Sequence, residues 1–326
     1  MQLIRKIRKL GLKLGFQKLI GYEAIFSCAF CTREHGKELY RTSSMKDTVF
    51  SVLSHTKEYW YADPLLWEQE GKEVVFLERV DRRTGLGCIS CSDITDGSWK
   101  EPVPVIRENY HMSFPMCFEW GGELLMIPET EMNKSVNLYR CVDFPYQWDK
   151  VGEFLKGRKL VDSIVWSKEE DKVSILASEY DPNDVFYTRY YKYELCKKNG
   201  HIDVCDKGKV SDFYTLMSRM AGPAIKEKVP LVPIQRSTSG IYGYSVQFCE
   251  KGKYLPDKQI KELLPADFNV MRHNNGIGRK LIGVHTYSQS SHFEVIDIQY
   301  LIYNKNKWRK DACATKQHVG KFERSF

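Results

Sequence analysis

The sequence predicts an all-β chain folded as a five-bladed β-propeller, preceded by a short N-terminal amphipathic helix. Three observations predict it: helical periodicity is scarce after residue 59, one hairpin pattern occurs five times, and the spacing of those hairpins suits blades. The best helical candidate in the body is Asp257 to Leu264. The 326 residues are 42% hydrophobic and 13% aromatic, which excludes disorder and supplies a large core.

Residues 1–20 read as the helix. At about 100° per residue, Leu3, Ile4, Ile7, Leu10 and Leu14 share one face, while Arg5, Lys6, Arg8, Lys9 and Lys13 share the other. With Lys18, this segment carries six of the seven net positive charges and no acid. The remainder is therefore almost neutral, which argues against nucleic acid as a partner and leaves two uses for this segment: contact with an anionic membrane surface through residues 1–18, or docking on its own domain with the basic face solvated. Basic residues break its apolar run too often for a secretory leader, and ten cysteines without one point to a reducing, cytoplasmic setting, peripheral on the inner face of the membrane.

Residues 21–326 read as one propeller. The apolar strand Tyr22 to Cys31 stands far from the first hairpin, and its expected role is to close the ring by pairing with the last blade. The hairpins follow at 63–78, 113–129, 162–179, 219–235 and 285–297, and their openings lie 50, 49, 57 and 66 residues apart. Turns fall at Glu70-Gly71, Gly121-Gly122, Glu169 to Asp171, Lys226 to Lys228 and Ser290-Ser291. Because a hairpin begins and ends at the same sheet edge, the polar residues that open and close the five units should ring one mouth. They are Asp63 and Glu78, Ser113 and Glu129, Asp162 and Glu179, Arg219 and Gln235, and His285 and Asp297.

Nine segments carry a family resemblance: YWYADPLLW (59–67), GLGCIS (85–90), HMSFP (111–115), LLMIPET (124–130), NLYRCVDFPYQW (137–148), VDSIVW (161–166), RMAGPAI (219–225), IYGYSV (241–246) and GVHTYS (283–288). In this order they resemble the N-terminal domain of plant glucosamine inositolphosphorylceramide transferase and bacterial proteins that share it, some of them fused to formyltransferases. The resemblance implies a propeller similar to those of furanosidases, arabinanases and levansucrases, working in surface-glycan or glycolipid biosynthesis. It also implies that Asp63 matches the catalytic carboxylate that opens the first blade in that wider group. His111 and Ser113 depart from the wider group's carboxylate pattern, and VPIQ at 232–235 departs from the family's frequent Arg-Pro-Ala-Gln. The plant proteins carry a separate transferase domain with no counterpart in this text.

Glycosyl chemistry needs carboxyl groups that protonate a leaving oxygen, activate an acceptor or stabilise an oxocarbenium-like centre. Glu129, after LLMIP, and Asp63, after Trp60 and Tyr61, have apolar neighbours that raise a carboxyl pKa, so they are the expected acid/base pair, with Asp162 as the third catalytic candidate. Glu78, His111, Arg219, Gln235, Tyr244, His285 and Asp297 are the substrate-binding candidates. Arg219 suits a phosphate or sugar carboxylate, or else an internal salt bridge. Trp60, Tyr61, Tyr242, Tyr244 and Tyr287 could stack on a sugar or pack between blades.

Other motifs carry less. Cys28-x-x-Cys31 and Cys88-x-x-Cys91 suggest zinc, but in a strand the odd spacing sends the two thiols to opposite faces, so no metal is expected. Gly85-x-Gly87 and Gly276-x-Gly278 read as turns, no cofactor motif stands out, and Asp-x-Asp and Gly-x-Ser-x-Gly are both absent. The expected function is glycosyl transfer from a sugar nucleotide, or on a glycan substrate, for surface polysaccharide or glycolipid. The alternatives are a glycoside hydrolase or phosphorylase and a non-catalytic glycan-binding module.

Overall fold

A computed structural model describes residues 22–303 apart from 43–44, 46–47, 182–186, 199, 211–214, 217–218, 239–240, 269–271 and 274–280. The expected helix at 1–20 lies outside the described residues. Five antiparallel sheets form five blades. Blade 1 is built from Tyr59–Gln69, Lys72–Asp81, Gly87–Asp93 and Val103–Ile106, and blade 2 from Ser113–Trp120, Glu123–Glu129, Val136–Asp143 and Gln147–Phe154. Blade 3 has Leu160–Lys168, Lys172–Tyr180, Tyr187–Lys198 and His201–Lys209; blade 4 has Arg219–Met220, Leu231–Thr238, Ile241–Lys251 and Pro256–Leu263.

Blade 5 joins the two ends of the chain. Leu281–Gly283 and Tyr287–Gln289 lie inside Phe293–Tyr303, which pairs with Tyr22–Thr32 over its whole length, from Tyr22 opposite Tyr303 to Thr32 opposite Phe293. Val49–Leu53 lies outside that pair. The early apolar strand therefore closes the ring as the sequence predicts.

Each blade is covered on both faces by its neighbours, which is why the strands read as unbroken apolar runs. Val74, Val75, Phe76 and Leu77 are all fully buried, with Val74 and Phe76 facing blade 2 and Val75 and Leu77 facing blade 5. Five apolar clusters fill the five seams, for instance Ile127 and Leu125 against Ile175 and Tyr193 between blades 2 and 3. Burial on this scale contributes about 1.5–3 kcal/mol per large side chain, offset by the entropy of ordering the chain. Gly222 serves the seam between blades 4 and 5. A Cβ there would stand 1.9 Å from the Tyr287 carbonyl oxygen, and its φ of +154° also disfavours a side chain.

Two expectations about elements fail. Of Asp257 to Leu264, all but the last residue belongs to the outer strand of blade 4, Pro256–Leu263, because pairing with Ile241–Lys251 outweighs a weak helical pattern. In the fourth hairpin Arg219 faces Gln235 as expected, but the continuous first strand does not form: it ends at Met220, since Gly222 and Pro223 interrupt it, and the Ala221 N–H bond to the Pro233 carbonyl and the bridge Ile225 to Leu231 carry the pairing on. Cys28 and Cys31 enter different apolar clusters, and Cys88 and Cys91 alternate along their strand, so neither pair converges.

Candidate functional site

The first strands of blades 1, 2 and 3 share an irregularity. Each carries a register shift, between Ala62 and Leu65, Ser113 and Met116, and Val161 and Ile164. Inside each shift one non-glycine residue is left-handed: Asp63 at φ 47°, Phe114 at 43° and Asp162 at 49°. Such bulges are costly, and they re-aim the side chain. The position equivalent to Asp63 in blade 2 is thus Phe114, one residue beyond Ser113.

On the second strands Glu78 pairs with Ala62, Glu129 with Ser113, Ser178 with Val161 and Gln235 with Arg219, while Asp297 faces the break that holds Thr286. Glu179 falls one residue away, opposite Leu160, and binds Arg189 and Arg158 instead. The expectation that it joins the ring fails because successive strand residues face opposite sides.

Arg219 of blade 4 organises one half of the site. Its Nε and Nη2 donate to the two oxygens of Asp162 from blade 3, the latter at 2.9 Å, and Nη2 also reaches Glu129 Oε2 of blade 2 at 2.9 Å. Nη1 donates to the hydroxyls of Tyr180 and of Tyr242, the second at 2.7 Å. Five contacts occupy the five N–H groups of the guanidinium, so the internal salt bridge, rather than a substrate anion, holds Arg219 here.

His285 organises the other half. Nε2 lies 3.2 Å from Asp63 Oδ1, and Nδ1 lies 2.6 Å from Asp297 Oδ2 in ion-pair contact, although its hydrogen is not aligned for a regular hydrogen bond. The Thr286 hydroxyl stands between the carboxylates at 3.0 and 3.1 Å. Asp297 also accepts the backbone N–H groups of His285, Thr286 and Asp63. Its side chain is 0% exposed, and through these contacts Asp297 holds His285 and the first strand of blade 1 in place. Asp63 in turn accepts the Phe114 N–H at 3.2 Å, tying blade 1 to blade 2.

The third pair is Glu78 and His111, whose Nε2 lies 2.9 Å from Glu78 Oε1. Gly87 makes room for it, since a Cβ there would stand 2.8 Å from Glu78 Oε1 and 2.9 Å from His111 Cε1. The Gly87 N–H points at His111 Nδ1 at 3.0 Å.

These surroundings drive the carboxyl groups apart. Burial pushes Glu129 well above the usual carboxylate range; Arg219 opposes this, and the negative charge and hydrogen bond of Asp162 reinforce it. Burial also acts on Asp63, but the hydrogen bond and charge of His285 outweigh it and hold this carboxyl below its ordinary value. The neighbours of Asp63 that decide its charge are thus His285 and Arg219, not Trp60 and Tyr61. For His285 burial favours the neutral ring, yet the negative charges of Asp297 and Asp63, in close contact with its two nitrogens, raise it to about 10. Burial raises Glu78, and for His111 the hydrogen bond and charge of Glu78 prevail over burial and raise it as well.

Asp63, His285 and Asp297 are also close enough together to share a metal ion. The donor set fits poorly, because both ring nitrogens already face carboxylate oxygens and the ring is held as an imidazolium.

Sequence reasoning passed over Tyr180 and Thr286; nothing in the sequence sets Tyr180 apart from the other tyrosines. Tyr242, 36% exposed, has its hydroxyl on Arg219 and its ring 5.6 Å from His285. Tyr61 and Tyr287 are buried core residues, the latter edge-on to Phe248, and half-buried Trp60 packs on Phe26. Tyr244 has no side-chain contact with either cluster among the described residues. Gln235 is buried beside Arg219 in register, with its Nε2 unpartnered.

Residues 48–276 match the family described as glucosamine inositolphosphorylceramide transferase 1, N-terminal. The chain belongs to this family. A glucosamine inositolphosphorylceramide transferase 1 from Oryza sativa subsp. japonica is 31% identical over 221 residues, which cover 66% of this chain and 29% of the relative. One from Arabidopsis thaliana is 36% identical over 106 residues, 32% of this chain and 14% of the relative. The chain thus spans less than a third of the length of these relatives. Among solved structures, β-1,2-mannobiose phosphorylase from Listeria innocua superposes with a TM-score of 0.50 at 10% identity, covering 82% of this chain and 96% of that one, a likeness of fold.

Proposed function

We propose that this family member carries out glycosyl transfer in glycolipid or surface-polysaccharide synthesis, with a sugar nucleotide as donor. The observation that carries the proposal is the opposed pair of carboxyl groups: Glu129, buried and pushed up, keeps a proton to give, while Asp63, held low by His285, stays charged. Two carboxyl groups whose surroundings separate them are what acid and base roles at a glycosidic centre require. Asp162 and Arg219 hold Glu129 in place, and Tyr242 offers a partly open ring for a sugar face. Glu129 is the more open of the two carboxylate partners of Arg219, with 13% of its side chain accessible.

The relatives' name supports a hexosamine donor and an inositol-phosphate glycolipid acceptor. The basic segment 1–18 supports work at an anionic, cytoplasmic membrane face. The test incubates the full chain with nucleotide-activated hexosamines and an inositol-phosphate glycolipid and measures release of the nucleoside diphosphate. Release is expected from the wild type and is lost in Glu129→Gln.

One observation favours a second reading. Each of Asp63, Glu78, Glu129, Asp162 and Asp297 already has a cationic protein partner, as in a site that binds a glycan without reacting. Glycan binding that survives Glu129→Gln, with no turnover on any donor, would select that reading.

A further inference from the structure

Far from Arg219, blades 3 and 4 border an open cleft of about 390 Å³ lined by Trp166, Lys192, Glu194, Lys251, Lys253 and Tyr254, among others. Lys172 on its wall stands eight residues from Tyr180 along one strand, about 26 Å at 3.3 Å per residue, so the cleft lies at the opposite end of the ring. Its walls are fixed across the seam. The Trp166 indole N–H donates to the Lys253 carbonyl at 3.1 Å, the Lys251 ammonium donates to the Trp166 carbonyl, and the Gly252 N–H closes a tight turn on Leu255 O at 3.1 Å.

The charges do not balance. Glu194 is shared by Lys192 at 3.6 Å and Lys207 at 3.0 Å, and Glu169 takes Lys172 at 3.5 Å. Lys251 and Lys253 have no carboxylate partner among the described residues. Their ammonium groups lie over aromatic rings instead, 5.1 Å from the Trp166 centroid and 5.0 Å from that of Tyr254. Half-burial pushes the Lys251 ammonium below its usual range, as expected for a cation short of a counter-ion. Tyr254 is 57% exposed.

We propose that this cleft is a second ligand site that takes a phosphate-bearing small molecule, with Lys251 and Lys253 on the phosphate and Tyr254 against the attached sugar or base. The volume is that of a small-molecule site, and a bound phosphate returns to the two ammonium groups the counter-charge that the protein withholds. The phosphate could come from a free metabolite or from a lipid headgroup.

Calorimetric titration of the full chain with inorganic pyrophosphate tests the site. Saturable binding is expected, weakened at least about tenfold in Lys251→Met/Lys253→Met and unchanged in Lys258→Met, an exposed lysine of the same blade. Phosphatidylinositol vesicles form the second arm, with residues 1–18 common to wild type and variant. Weaker pelleting of the double variant assigns the phosphate to a lipid, and equal pelleting assigns it to a soluble ligand. Absence of saturable pyrophosphate binding, or equal loss in Lys258→Met, overturns the proposal. Because Lys251 also bonds the Trp166 carbonyl, the single variant Lys253→Met, which leaves that bond intact, must weaken binding too.

Discussion

Replacing Arg219 with Met removes the cation that holds blades 2, 3 and 4 together at the mouth while keeping the length of the side chain. Asp162 and Arg219 are 2% and 4% exposed, so solvent does not screen the loss, and Asp162 is left with neither donor. Breaking a buried ion pair from one side costs about 3–5 kcal/mol. At about 2.1 cal/mol/K of unfolding entropy per residue, that corresponds to a fall of about 4–7 °C in Tm for a chain of this length. Urea unfolding of wild type, Arg219→Met, Asp162→Asn and the double variant completes a cycle. Because both residues serve one network, the double variant should lose less than the sum, with a coupling of at least about 1.5 kcal/mol. Lower pH, which neutralises stranded carboxylates, should shrink the loss in Arg219→Met. Additive effects within about 0.5 kcal/mol, or an Arg219→Met protein as stable as wild type, would refute the reading that Arg219 is held as an internal cross-link.

Glu129→Gln should abolish turnover yet shift Tm by only a few degrees at pH 7. A carboxyl raised by folding stabilises most below its ordinary pKa and less as pH rises, so the variant should gain on wild type as pH rises above the ordinary carboxylate range in urea titrations. His285 has the opposite charge type: a group raised to about 10 contributes fully below about 6.5 and loses its contribution as pH rises through 10. The stability difference between wild type and His285→Gln should therefore narrow over that window, and a constant difference would count against the imidazolium. Deleting residues 1–18 should leave a folded propeller that no longer sediments with anionic vesicles. Neutralising Arg5, Lys6, Arg8 and Lys9 should make the remaining binding weaker and less sensitive to salt.

The sequence by itself determined the blades, because a hairpin is a local object. Its apolar strands, its turn and its polar ends lie within about twenty residues, and the five-fold recurrence of that unit exposes the ring. The closing strand Tyr22–Thr32 was legible for a related reason: an apolar run with no hairpin of its own needs a partner elsewhere. What only the tertiary structure decided is how the mouth is wired. Asp162 meets Arg219 across 57 positions, and Asp63 meets Asp297 across 234, at distances set by the packing of different blades. The bulge at Asp162, an expression of local strain that the letters do not carry, puts Ser178 rather than Glu179 in the ring. Two carboxyl groups with similar apolar neighbours in sequence therefore differ in charge, since at Asp63 the His285 ring outweighs burial, whereas at Glu129 burial, reinforced by Asp162, outweighs Arg219. Burial and counter-charge are properties of the assembled ring, and a pKa follows them rather than the neighbours along the chain.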